Sequence, residues 1–304
     1  MALPADSALS ALLALAKISR LEMPLEAVMA EQFGLTAQPD YPLAAIAANA
    51  DGLNASEGCW MRADPVHFQL QRDSFSLSEP VPLQLQPAHA KSLISDLNQH
   101  FNADGMYFML GDSGAWYLRM DTTPEIQTSL PSVVMDRNIY QFMPVGADAS
   151  KWRAHLNEIQ MLLYEHPVNH ARESMQQAPV NSVWFSGRGR LPVQTKRVNS
   201  GSMLVAANPF YQGLADFAGV KTLPPDMTFT ELLAQNTQEL RVAIKPEQAV
   251  DDAMFKRLYD ALSSRKISHL MLNLGCYEKT LVLNLKPSDR FKFWRKRRPV
   301  VEAI

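Results

Sequence analysis

Apolar side chains recur at two periods along this chain, and the switches between them set out its elements. Leu9, Leu12, Leu13 and Ala16 fall on one helical face, with Asp6 or Ser7 placed to cap the start. Pro24 and Gly34 bracket a second helix over Leu25 to Phe33, and Pro42 opens a third over Leu43 to Ala50. Residues 6–55 therefore read as mostly helical, with a small-residue loop at 54–58. The period then falls to two. Val66, Phe68 and Leu70 alternate with His67, Gln69 and Gln71, and Phe75 and Leu77 resume the alternation after Arg72-Asp73. That pattern predicts a β-hairpin with His67 on its polar face. Ala90, Leu93, Ile94 and Leu97 return to helical spacing over Pro87 to Phe101. A second hairpin follows, Met106 to Leu110 and Trp116 to Met120, around the turn Gly111 to Gly114. Residues 121–149 carry several Pro and Thr and few periodic signals, and read as irregular.

Trp152 to Pro192 holds the densest group of unusual side chains. Trp152, Leu156, Ile159 and Leu163 make one apolar helical stripe, and Pro167 ends that helix near Glu165. Asn169 is placed to cap a short second helix carrying Arg172 and Glu173. Val180 to Phe185 reads as a strand and Gly187-Arg188-Gly189-Arg190 as a turn. Beyond it, Ser202 to Ala207 is a short strand. Asn208 caps, and Pro209 opens, a helix over Phe210 to Ala218 that Gly219 closes. Helix over Thr228 to Gln235, strand over Leu240 to Ile244, helix over Asp251 to Ser264, and strands over Leu270 to Leu274 and Thr280 to Leu285 complete the chain. The alternation predicts an α/β layer with a partly parallel sheet.

Composition narrows the class. The 304 residues are 47% hydrophobic and 20% charged, as in an ordinary globular chain of one large or two ordinary domains. A net charge of −2 supplies no overall field to recruit nucleic acid or an anionic membrane. Cys59 and Cys276 form no disulfide framework or zinc spacing and fit a reducing cytoplasm. No run approaches the length of a membrane span, and the apolar Ala8 to Ala16 lacks the basic flank of a leader.

The candidate chemistry is anion binding. Arg forks match phosphate and carboxylate, and flanking glycines let backbone N–H groups approach the same anion. His166, Asn169, Arg172, Asn181, Arg188 and Arg190 are the candidate ligand-binding residues. The alternative is a solvated rim, with His166 capping a helix end. The chain has no G-x-S-x-G, H-E-x-x-H, Walker or C-x-x-C pattern, so no catalytic residue is assigned. Lys286 to Arg298 sets seven basic residues against Asp289, with Phe291, Phe293 and Trp294 interleaved. Such a run is either a nucleic-acid or protein adaptor or a terminal element whose aromatics dock on the core while the charges stay wet; the acidic whole favours the second.

The run HPVN…R…PVNSVWFSGRG, from His166 to Gly189, resembles HPVN-x-x-R…PAN-x-x-x-x-R-G-A-G of the archaeal-type cofactor-independent phosphoglycerate mutases. It is closer still to a bacterial group labelled regulatory protein of the RpfE type, in which Leu-Pro follows, as Leu191-Pro192 does here. ADPVHFQLQRD (Ala63 to Asp73), LNQHFNADGMYF (Leu97 to Phe108), WYLR (Trp116 to Arg119) and NPFYQGLADFAGV (Asn208 to Val220) extend it, so it covers Arg62 to Val220. The resemblance implies an α/β fold: a reduced alkaline-phosphatase-like αβα core, residues 1–58 and 196–304, with an inserted α+β substrate-binding domain, 59–195. It maps the HPVN histidine to His166, the next arginine to Arg172 and the last near Arg188. It also implies two divalent metals, such as Mn²⁺ or Mg²⁺, held by Asp and His clusters. Here His269 is the single histidine after His170, and Ile244 stands where the mutase run H-x-K-x-x-D-E-x-x-H-D has its first His. The expectation is therefore a non-catalytic, cytoplasmic relative without metal or cofactor, which binds a small phosphorylated or carboxylate anion. A metal-dependent mutase or phosphatase is the alternative.

Overall fold

The computed structural model describes residues 7–70, 75–77, 83, 85–193, 201–244, 252–292 and 294–295. These form two compact units. One comprises residues 1–29, 201–207 and 221–304; the other comprises 30–200 and 208–220.

The first unit contains two three-stranded sheets. Strand β1 (Lys17–Leu21) pairs antiparallel with β12 (Lys279–Leu285), which pairs antiparallel with β11 (Leu270–Cys276). Helices α1 (Ala8–Leu15) and α10 (Asp252–Ser263) cover this sheet, burying Leu9, Leu12, Leu13, Phe255 and Leu262 against Leu272, Leu281 and Leu283. Ser7 caps α1 by accepting the Ser10 N–H, as its position predicts. The sequence reading missed β1. All five residues are exposed or half-buried, so this edge strand carries no alternation to read. The second sheet is wholly parallel: β8 (Ser202–Val205) lies between β10 (Glu239–Val242) and β9 (Lys221–Leu223). The short helix α9 (Phe229–Leu233) in this unit starts at a Thr228/Glu231 capping box.

The second unit is built on a four-stranded antiparallel sheet, ordered β5 (Met106–Leu110), β6 (Trp116–Met120), β2 (Cys59–Val66), β7 (Ser182–Gly189). One face packs against α4 (Pro87–Phe101) and α6 (Ala149–Tyr164). Trp152, Leu156, Ile159 and Leu163 are all buried there, as the helical stripe predicts. On the other face lies α3 (Leu43–Ala50), an alanine-rich helix whose residues 43–48 are buried between the sheet and α8 (Pro209–Ala218). Gly213 allows that helix crossing, because a Cβ there would sit 2.7 Å from Ile46 Cγ2. Asn208 and Gly219 cap α8 as expected. The hairpin of β3 (Phe68–Leu70) and β4 (Phe75–Leu77) forms as predicted; its tip, 71–74, lies outside the described residues. The break between units falls at 29/30, whereas the sequence placed it at 58/59. The packing of α3 against β2, β7 and α8 ties the segment before Cys59 to the sheet.

Candidate functional site

The six candidate residues distribute along β7, and the strand itself separates them. His166, Asn169, Arg172 and Asn181 gather where β7 begins. Arg188 and Arg190 lie where it ends. The eight-residue strand, at about 3.3 Å per step, spans roughly 23 Å between the two groups.

The first group mostly holds backbone, although Arg172 Nη1 is buried without a partner. His166, not Asn169, caps α7 (Pro167–Ser174): its Nδ1 accepts the Val168 N–H at 3.1 Å, and Pro167 takes the first helical position. Its Nε2 donates to Asp96 at 2.9 Å, so both ring nitrogens are committed. Asn169, buried within the helix, donates to Leu163 and Val180 carbonyls at 2.6 and 2.8 Å and accepts the Val180 N–H at 2.8 Å. Asn181 makes the same two-way contact with the Phe68 backbone, at 2.7 and 3.0 Å. Arg172 donates from Nε to the Ala178 carbonyl at 2.9 Å, and burial pushes its pKa down. The Arg172 carbonyl accepts from Met175 and Gln177, so the guanidinium closes the C-terminal turn of α7. The single pocket uniting His166, Arg172 and Arg188 is not formed.

The second group faces a cleft. Gly187-Arg188-Gly189 is strand, not the expected turn. Gly187 adopts φ +66°, and the register of β7 against β2 shifts between Trp60 and Arg62. The glycines serve packing rather than a reversal: a Cβ on Gly189 would lie 2.6 Å from Pro42 Cβ. The irregular strand end presents Arg188 and Arg190, two residues apart, toward one neighbourhood. Arg188, 4% exposed, donates from Nη2 to the Gln38 carbonyl at 2.8 Å, and its Nε has no partner. Arg190 donates to Thr123 Oγ1 at 3.0 Å. Both act on the Cys59 thiol, whose pKa burial nevertheless pushes up. Asp40 is the internal counter-charge. It accepts from Thr128 N and Oγ1 at 2.9 and 2.6 Å; burial raises its pKa against these bonds and against Arg188.

An open cleft of about 620 Å³ lies over this cluster, with Arg188 in its lining. Its walls are Gln38 and Pro39, residues 123–127, and residues 145–147. Reciprocal backbone bonds between Gln127 and Val145 fix two walls to each other, and Asp148 accepts the Glu125 N–H at 2.7 Å. With Glu125 in its lining, a carboxylate shares the cleft with the Arg188 guanidinium, so the cleft carries no general positive field. The sequence named both arginines. It did not name the cleft walls, because they come from loops without period.

The Gly111 to Gly114 turn is not open to an anion either. Asp51, 4% exposed, accepts from Ser113 N at 2.8 Å, Ser113 Oγ at 2.7 Å and Tyr117 Oη at 2.9 Å. Burial and this carboxylate raise the Tyr117 pKa, while Arg62, stacked 4.9 Å from the ring centre and paired with Asp64, opposes the shift. An internal carboxylate thus takes the place a ligand would have. Among the described residues no three His, Cys, Asp or Glu side chains come together to hold a metal ion.

No family model matches the chain, and no curated protein does. Among solved structures, the PH0037 protein from Pyrococcus horikoshii matches over 91% of this chain and 79% of its own, with 11% identity and a TM-score of 0.51. A cofactor-independent phosphoglycerate mutase from Thermoplasma acidophilum matches over 92% of this chain and 81% of its own, with 14% identity and a looser TM-score of 0.40. The class is therefore a mixed α/β fold shared with the Pyrococcus protein. No helix among the described residues is long and apolar enough to cross a membrane.

Proposed function

We propose that this chain is a non-catalytic relative of the cofactor-independent phosphoglycerate mutases, with a reduced phosphatase-like core, and that it acts by binding a small phosphorylated or carboxylate anion. The site is the cleft at the end of β7. The observation that carries this reading is Arg188: a covered guanidinium lining a cleft, bonded to the Gln38 carbonyl, with Asp40 near it and Nε unpaired. A buried cation of this kind gains from a matching anion. Arg190, exposed beside it, supplies the second fork. The motif resemblance over Arg62 to Val220 points to the ligand class. In the sequence, Ile244 stands where the mutase run has its first His and His269 is the single histidine after His170, which supports a binding reading.

Calorimetric titration with 3-phosphoglycerate tests it. Arg190→Ala removes an exposed side chain and leaves the fold intact; Arg188→Lys keeps the charge and loses the fork. Each is expected to weaken binding at least tenfold, since a charge-assisted hydrogen bond contributes about 1.5–3 kcal/mol. Unchanged affinity in both variants, or no binding by the parent, overturns the proposal.

A further inference from the structure

Among the described residues of the basic C-terminal run, the aromatics do not dock on the core as its sequence suggests; Phe293 lies outside them. Phe291 is 59% and Trp294 69% exposed. What docks is arginine. Helices α1 and α10 lie side by side and run parallel, tied at their starts by the Ala8 N–H donating to Asp252 at 2.6 Å. Their C-termini therefore present carbonyls at the same end. Arg290 donates to the Ser263 carbonyl of α10 at 2.7 Å, and Arg295 to the Ala16 carbonyl after α1 at 2.9 Å. The segment Pro287–Phe291, a 3₁₀ turn, and the residues after it thus cross both helix ends.

This placement gathers charges that are remote in sequence. Arg265 and Lys266 follow α10 after Ser264, and Lys17 directly follows Ala16; all three residues are exposed. They lie in the segments that leave the two helix ends to which Arg290 and Arg295 bond, while Arg290 stacks on Phe291 and Lys292 is paired with Asp289 at 2.7 Å. The chain's net charge of −2 is an average that hides this concentration. In sequence, Lys296, Arg297 and Arg298 come next.

We propose that this end of the first unit is a docking surface for single-stranded nucleic acid. Cations track a phosphate backbone while exposed aromatic side chains stack bases. The alternative polyanion, a lipid surface, fits less well. The Arg290 guanidinium stacks 4.7 Å from the centre of the Phe291 ring and is held by Ser263, so inserting that ring would carry a tethered charge into the acyl layer. A base can stack on the outer face of the same ring without moving Arg290.

The test is fluorescence anisotropy of a labelled twelve-nucleotide oligouridylate, and of the matching oligothymidylate, titrated with the full chain across a salt series. With about four phosphates contacted, log K should fall against log salt with a slope of about −3. Arg265→Gln with Lys266→Gln, two exposed changes away from the capping bonds, should flatten that slope by about one unit. Trp294→Ala should weaken binding roughly five- to a hundredfold through lost stacking. Binding of the oligothymidylate alone, or of both, still supports the surface. No binding at about 50 mM salt overturns it. So does binding that neither variant alters, or capture by anionic phosphatidylglycerol vesicles without oligonucleotide binding.

Discussion

Asn169→Ala separates the structural end of β7 from its ligand end. The side chain bridges the end of α6 to the approach to β7 through three bonds of 2.6 to 2.8 Å, in a site 2% exposed. Truncation leaves the N–H and C=O of Val180, a fully buried residue, without these partners. Each buried orphan costs about 1–3 kcal/mol. The Leu163 carbonyl loses less, because the His166 N–H still reaches it at 3.3 Å. The expected loss is about 2–5 kcal/mol. Asn169→Asp should be at least as damaging near neutral pH: it keeps the acceptor for Val180 but turns carboxylate lone pairs toward two carbonyl oxygens. Urea unfolding followed by tryptophan fluorescence reads both, with an unchanged m-value indicating an unchanged transition. A loss below about 1 kcal/mol for Asn169→Ala would show that the bridge is not structural. Loss of phosphoglycerate binding by a variant of undiminished stability would show that Asn169 belongs to the ligand site after all.

Leu156→Ala and Leu163→Ala remove side chains 4% and 1% exposed, and each should cost about 2–5 kcal/mol in the same assay. Gly189→Ala forces a Cβ to within 2.8 Å of Pro42 Cα and should cost about 1–3 kcal/mol, read by thermal unfolding; no loss would mean that α3 can recede. His155 is packed edge-on against Phe101 and Trp152, and burial pushes its pKa below the usual 6.5 despite Glu158. The folded state therefore resists protonation, so the neutral ring's contribution is full above 6.5 and is lost as pH falls through the lowered value. His155→Phe should make stability fall less between about pH 7.5 and 5 than in the parent; an identical pH profile refutes this.

Most elements were legible because periodicity reports burial. The stripes of α4 and α6, the hairpin of β5 and β6, and the Asn208 and Gly219 caps all follow from local chemistry. The failures have tertiary causes. Strand β1 is defined by pairing with β12, more than 250 residues away, and shows almost nothing of itself. The glycines at 187 and 189 look like a turn because their need, close approach of Pro42 and Leu43, lies in another element. His166 and Arg172 looked like ligand residues because buried polar side chains that cap backbone have the same composition as those that bind anions. Their hydrogen-bond partners, which the sequence does not show, are what tie them to backbone and to Asp96. Arg290 and Arg295 likewise read as wet charges until two helix C-termini are seen side by side.

The central claim is that ligand binding belongs to the Arg188 and Arg190 end of β7 alone. A crystal structure of the chain with 3-phosphoglycerate tests it most directly. The anion is expected in the cleft, with a phosphate or carboxylate oxygen at hydrogen-bond distance, about 2.7–2.9 Å, from a guanidinium nitrogen of Arg188 or Arg190. An anion seated beside Arg172 and His166, or held by a pair of divalent metal ions, would contradict it.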